Sequence, residues 1–361
     1  MRAAVLETSP GQLVVHGDVE HDGPGPHEVL VRVAACGLCH SDLHFMEGLY
    51  PTPLPTVLGH ECAGVVEAVG RDVTYCRPGD HVIACLSAYC GQCTECLTGR
   101  LFLCSGRQAI DRAPGEAPRL SRHGEVVHQF TRLSGLAEAV LVHENALVTI
   151  TPDMPLDRAA LIGCGVTTGV GAVFRTAAVE PGATVAVIGC GGIGLNVVQG
   201  ARIAGALRVI AIDLNPAKLE MAQAFGATDV VDASTVDPVA AVRELTRGGA
   251  EFSFEAIGSK SATEQAFRMI RPGGTATVIG MIPVGTKIEI HGPDLLQAKR
   301  LQGSMMGSNR FRVDMPRYVD LYLQGRLKLD ELVSARIPLE QVNEGFAAMK
   351  AGSVARSVVI F

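Results

Sequence analysis

At 361 residues, 47% hydrophobic and 19% charged, the chain carries enough apolar material for about two domains. A formal net charge of −6, with no block of like charges, excludes a general attraction to nucleic acid. No continuous apolar run reaches the roughly 18 residues of a membrane span, and MRAAVLETSPGQLVV has no apolar stretch of the kind a signal peptide needs. A cytoplasmic chain is expected, whose 11 cysteines serve as metal ligands and buried thiols rather than disulfides.

Residues 1–35 read as strands joined by turns. LVVHGDV and EVLVRVAACG carry β-branched runs, with the Gly/Pro cluster DGPGPHE between them. CHSDLHFMEG (39–48) reads as a short helix presenting Cys39, with Ser41, Asp42 and His44 on its first turn. LPTVLGHECAGVVEAVG (54–70) reads as strand, turn, strand, with His60 and Glu61 at the turn.

Cys39, His60 and the distant Cys164 of GCG offer two thiolates and an imidazole. With a water they would complete a tetrahedral zinc whose open fourth position allows chemistry. Plain core residues are the competing reading of the same three positions. A metal-bound His60 needs an acceptor for its other ring nitrogen, and Asp42 is the candidate.

Cys90, Cys93, Cys96 and Cys104 fall as C-x2-C-x2-C-x7-C, a spacing suited to a closed structural zinc that folds a loop lacking its own core. An iron–sulfur cluster uses similar spacing, but nothing else in the chain points to electron transfer. Residues 105–135 read as a long, polar, irregular surface excursion. Strand character returns at 135–150. A helix then starts near Leu156, meets a Gly-rich break around Cys164, and gives way to a second helix ending near Pro181.

From TVAVIG onward, strand and helix alternate, which predicts a parallel sheet covered by helices on both faces. Gly189-x-Gly191-x-x-Gly194 follows a strand and opens a helix, so a pyrophosphate can approach the helix N-terminus closely. Asp213, at the end of the next strand, is placed to bind ribose hydroxyls and to repel a 2′-phosphate, favouring NAD over NADP. A helix cap is the bland alternative for Asp213. Lys218 reads equally as a ribose contact or a solvated helix charge. Two helical patterns, PRYVDLYLQGR and LEQVNEGFAAMKAG, precede a closing strand, SVVIF.

Taken in register, ACGLCHSDLH, GHECAGVVEAVG, the cysteine cluster, GCGVTTG, VIGCGGIGLN, FSFEAIG and NEGFAAMKAG resemble the zinc-dependent medium-chain alcohol dehydrogenases over essentially the whole chain. The resemblance implies an α/β protein: a GroES-like β-rich catalytic domain (1–164) holding both zinc sites, a Rossmann doubly wound parallel-sheet NAD domain (165–305), and a C-terminal return to the catalytic domain (306–361). It implies two zinc ions, a catalytic one on Cys39, His60 and Cys164 and a structural one on Cys90, Cys93, Cys96 and Cys104. Glu61 is expected behind the catalytic metal. The alcohol proton is expected to pass from Ser41 through the cofactor ribose to His44 and solvent, as hydride moves to the nicotinamide. Thr168 and Ile193 are expected against the nicotinamide, Gly189, Gly191, Gly192 and Gly194 around the pyrophosphate, and His40 and Arg356 at the phosphates.

Many relatives carry arginine where His40 stands, which suggests looser phosphate binding here. Ser41 in place of threonine, and Leu86 in place of a bulky ring, suggest a pocket for bulky primary or secondary alcohols. The long excursion is similar to that of the dimeric branch, so a homodimer is expected. That branch also contains thiol-adduct formaldehyde dehydrogenases, the alternative reading. Between His44 and His60, however, Glu47 is the lone acidic residue, with no acidic pair to hold the amine of glutathione. Relatives that have lost the metal, such as crystallin-like storage proteins or quinone reductases, lack the ligands that this chain keeps.

Overall fold

The computed structural model describes residues 1–352 and 354–361. Contacts divide the chain into two compact units, Met1–Cys164 with Arg310–Phe361, and Gly165–Asn309.

In the first unit, strands Leu147–Ile150, His81–Ala84, Glu61–Val69, Glu28–Gly37, Arg356–Ile360 and Val333–Ile337 lie in that order in one sheet, and Ala139–His143 also pairs with Glu28–Gly37. Glu28–Gly37 is apolar along most of its length because both of its faces are buried. Its antiparallel register with Glu61–Val69 sets Gly37 opposite Glu61 and Cys36 opposite Cys62. A Cβ at position 37 would stand 2.5 Å from Glu61 Oε2, so only glycine leaves room for that carboxylate. The closing strand Arg356–Ile360 pairs with the same stretch, Val358 opposite Gly37, which brings Arg356 to the Glu61 side. Leu6, Leu38, Leu58, Leu133, Leu136 and Phe346 fill the core beneath, each fully or nearly fully buried. Burial of side chains this size contributes about 1.5–3 kcal/mol apiece.

The expected break around Cys164 is absent. A 21-residue helical run, Leu156–Thr176, continues through it, with π-helical turns at Ile162–Val166 and Ala172–Thr176. Gly163 serves close packing instead of interruption: a Cβ there would meet the Ala84 carbonyl at 3.0 Å and Glu61 Cα at 3.5 Å. The widened turn carries Cys164 without ending the helix, a recurrent use of π turns at functional sites. The run is apolar enough to cross a membrane by composition, but it is largely buried inside the protein, as a core helix is.

Residues 105–135 are also more ordered than their composition suggests. They contain strands Leu120–Arg122, Glu125–Val126 and His128–Gln129, the first pairing with Glu20–His21 and the last with Thr56–Val57. Arg112 and Arg119 both reach the buried Glu28 carboxylate at 2.6 Å, and Arg132 grips Asp111 with two hydrogen bonds.

In the second unit, parallel strands lie in the order Asp229–Asp232, Arg208–Asp213, Thr184–Ile188, Ala250–Glu255, Ile270–Val278, Arg300–Gly303. Numbered along the unit this is 3-2-1-4-5-6, the doubly wound arrangement. The order reverses between Thr184–Ile188 and Ala250–Glu255, and ligands bind outside the carboxyl ends of the strands at such a point. The edge strand Arg300–Gly303 was not expected, since RLQG shows no β-branched alternation. Asn215, not Asp213, caps the helix Pro216–Ala224, accepting from the Ala217 N–H at 3.0 Å.

Candidate active site and metal centres

Cys39 ends the strand-to-helix turn before the short helix His40–Met46, while His60 and Glu61 open the strand Glu61–Val69 and Cys164 sits in the π turn. These elements bring one donor atom from each of Cys39, His60, Glu61 and Cys164 to within 4.8 Å of one another, all four residues buried. His60 Nδ1 lies 3.1 Å from Asp42 Oδ1, which also accepts the Gly59 N–H at 3.0 Å. Asp42 thereby fixes the ring and turns Nε2 toward the donors. Among the described residues, His60 Nε2 and Glu61 Oε2 are buried without a hydrogen-bond partner. Buried polar atoms are rarely left so unless something else satisfies them.

The two sulfurs share a hydrogen bond. It holds the Cys39 thiol well below its usual pKa and, together with burial, holds Cys164 well above. Two sulfurs and an imidazole with a free nitrogen suit zinc, which binds both sulfurs as thiolates in place of that shared proton. Burial pushes the Glu61 carboxyl up to about 8, against the pull of the Arg356 guanidinium. Arg356 was expected at the cofactor phosphates. It is buried, its Nη1 donating to the Leu38 carbonyl at 3.0 Å and to Glu61 Oε1 at 3.1 Å. The guanidinium thus gives the buried Glu61 carboxyl a partner. Local sequence hides this partnership, which depends on the last strand returning beside Gly37.

Ser41 and His44 stand on the helix His40–Met46, with Ser41 Oγ 3.6 Å from Cys39 Sγ. His40 is exposed at the first position of that helix. Aromatic rings gather beside these groups, a feature the sequence reading missed. Phe130 packs edge-on against His60 at 5.7 Å between centroids and against Phe45 at 4.7 Å, and Tyr50 lies tilted on Phe45 and stacked on His44. Phe130 belongs to the excursion, so its approach to His60 had no local signal.

The second metal centre is compact. Sulfur separations are 3.5 Å for Cys93–Cys96, 3.8 Å for Cys93–Cys104 and 3.9 Å for Cys90–Cys96. A tetrahedron with zinc–sulfur bonds of about 2.3 Å has edges of about 3.8 Å, so the set fits zinc as it stands. Backbone N–H groups of Gln92 and Cys93 point at Cys90 Sγ, at 3.5 and 3.4 Å, favouring thiolate. The Cys96 N–H does the same for Cys93, whose thiol is drawn down to about 5. A Cβ at Gly106 would stand 2.9 Å from Cys90 Sγ, so glycine lets the chain close over the cluster.

In the second unit Gly189 has φ +92°, and a Cβ on Gly194 would overlap the Gly189 carbonyl oxygen. Both positions therefore require glycine. Gly191 precedes the helix Gly192–Ile203, on whose first turn Gly192 and Ile193 lie. Asp213 accepts the Cys190 N–H at 2.8 Å through one oxygen and the Asn215 N–H at 3.0 Å through the other. Burial, then the Asp213 charge, pushes the Cys190 thiol up to about 12, while Lys218 opposes them; both charges thus lie beside the glycine loop. Thr168 is buried, with its hydroxyl 3.4 Å from Met306 Sδ. The cysteines outside the two clusters, Cys36, Cys62, Cys76, Cys85 and Cys190, are all buried and unbridged.

Residues 25–153 match the family model of the alcohol dehydrogenase GroES-like domain, and residues 192–324 that of the zinc-binding dehydrogenases. With both metal centres and the dinucleotide fold in place, the chain belongs to the zinc-dependent medium-chain alcohol dehydrogenase family, with NAD and zinc as its cofactors. It is similar to an alcohol dehydrogenase class-3 of Cereibacter sphaeroides, 39% identical over 100% of this chain and 99% of that relative. An S-(hydroxymethyl)glutathione dehydrogenase of Paracoccus denitrificans is 37% identical over the same shares. Among solved structures, benzyl alcohol dehydrogenase from Acinetobacter calcoaceticus superposes with a TM-score of 0.94 at 33% identity, covering 100% of this chain and 99% of that one.

Proposed function

We propose that the chain oxidises bulky primary alcohols, aromatic ones included, and secondary alcohols to the corresponding carbonyl compounds, with NAD as acceptor. The observation that carries the reading is the convergence of Cys39, His60 and Cys164 with His60 Nε2 left free of partners. Zinc bound there supplies a Lewis acid for the alcohol oxygen, and NAD supplies the hydride acceptor. Cys39, His60 and Cys164 hold the metal, and Asp42 holds the His60 ring. Ser41, beside Cys39, takes the hydroxyl proton. His44, three residues along the same helix face, releases it to solvent. Glu61 stays paired with Arg356 behind the ligands, balancing the charge of the site. The glycine loop 189–194 receives the pyrophosphate; Asp213 and Lys218 take the adenosine ribose, and Thr168 and Ile193 face the nicotinamide.

The rings of Phe130 and Phe45 support aromatic and other bulky substrates, as does the likeness to a benzyl alcohol dehydrogenase. The names of the curated relatives favour a second reading, oxidation of the S-hydroxymethyl adduct of a thiol. Against glutathione stands Glu47, whose carboxylate is held by Lys350 at 2.7 Å. NADH formation from a panel of alcohols, and from formaldehyde with and without added thiols, decides between them. Strong benzyl alcohol turnover supports the first reading, whereas activity confined to formaldehyde plus a thiol supports the second.

The open edge strand Arg300–Gly303, with exposed Leu295 and Leu296 just before it, supports a homodimer. Sedimentation at twice the chain mass of 37.9 kDa is the expected result. The gathering of Cys39 with Cys164, and of Cys90, Cys93, Cys96 and Cys104, into donor clusters supports a reducing, cytoplasmic setting.

A further inference from the structure

We infer that Tyr50 is a positioning residue for His44, holding the imidazole in the orientation that proton release requires. The inference rests on the proposed function. The helix His40–Met46 ends at Glu47, and Gly48 follows with φ +74°. The Gly48 N–H bonds to the Phe45 carbonyl at 3.2 Å and the Leu49 N–H to the His44 carbonyl at 3.0 Å. This is the paired pattern of a Schellman cap, which reverses the chain over the last helical turn. The next residue, Tyr50, is thereby folded back onto His44, its ring stacked on the imidazole with centroids 6.1 Å apart and planes 24° apart. The Phe45 ring lies tilted against Tyr50 with centroids 5.7 Å apart, and Lys350 pins Glu47 at the turn.

The His44 side chain makes no hydrogen bond among the described residues, and its Nδ1 is buried without a partner. A relay imidazole must accept a proton on one nitrogen and give it up again, so a permanent hydrogen bond would fix it in one tautomer. Stacking constrains the plane of the ring and leaves both nitrogens available. Tyr50 supplies that constraint here, and the glycine at 48 is the sequence feature that delivers it.

The test uses the zinc-loaded chain with NAD and its best alcohol, comparing wild type, Tyr50→Phe and Tyr50→Leu. The leucine keeps apolar bulk while removing the ring face. We expect kcat of Tyr50→Leu to fall roughly tenfold, a fraction of the 10²–10⁴ that a positioned acid–base group contributes. KM for the alcohol should change little, and a rising concentration of a morpholine-type buffer base should restore the rate. Tyr50→Phe should keep a rate independent of buffer. In parallel, the His44 Cε1 proton resonance, assigned with His44→Gln, should sit upfield in wild type and Tyr50→Phe and shift downfield in Tyr50→Leu. A Tyr50→Leu enzyme whose KM alone rises, whose lost rate ignores buffer, or whose His44 resonance stays in place overturns the inference. A wild-type chain that forms no NADH from any alcohol overturns the functional reading instead, and the resonance shift tells the two failures apart.

Discussion

Asp213 shows how much of this site depends on what a side chain is already holding. Its two oxygens are engaged by the N–H groups of Cys190 and Asn215, so the carboxylate is fixed at the end of its strand before any ribose arrives. Hydrogen bonds to a charged acceptor contribute about 1.5–3 kcal/mol, or tenfold and more in affinity. Asp213→Ser should therefore raise KM for NAD about tenfold or more and narrow the preference over NADP. Initial rates against each cofactor check this, and an unchanged NAD/NADP ratio would remove Asp213 from the ribose site. The glycine loop and its acidic partner were legible in sequence because short-range geometry imposes their spacing. The pairing of Arg356 with Glu61 was not legible, because the two become neighbours only after strand Arg356–Ile360 docks beside Gly37.

At the scale of elements, the excursion 105–135 is the part least visible in the sequence. Its strands are two or three residues long, and Glu28 anchors it from the first sheet through Arg112 and Arg119. No local pattern announces so distant a pairing. Burial alone would push the Glu28 carboxyl up, but hydrogen bonds from Arg112 and Arg119 win and bring it down from 4.5 to about 2. Because the folded value lies below the unfolded one, this stabilisation is complete above about pH 4.5 and is lost as the pH falls toward about 2. A shift of that size corresponds to on the order of 3 kcal/mol. Glu28→Gln should lower the melting temperature at neutral pH and flatten its decline through the acid window. Parallel acid-dependent melting curves for the two proteins would argue that the arginines, not Glu28, hold the excursion. The Cys90–Cys104 lobe makes the contrasting case: Leu97 and Leu103 are exposed, so the lobe lacks a core, and its four-cysteine spacing was readable because the metal sets it.

For the whole molecule, the alternation of strand and helix announced the parallel sheet of the second unit, though not its edge strand Arg300–Gly303, while the first unit showed little beyond β-richness and its ligands. Its antiparallel strands pair across long separations, as Glu28–Gly37 does with both Ala139–His143 and Arg356–Ile360. Yet that unit is where all three candidate catalytic ligands converge, and the proposed chemistry depends on their acting together. The most direct test is zinc content and NADH formation measured side by side for wild type and Cys164→Ala. Wild type should bind one zinc at each of its two donor clusters and reduce NAD with primary alcohols. Cys164→Ala should keep the four-cysteine zinc, lose the other and fall to background turnover. A Cys164→Ala protein that loses one zinc and still oxidises alcohols at the wild-type rate would contradict a catalytic role for the metal held by Cys39, His60 and Cys164.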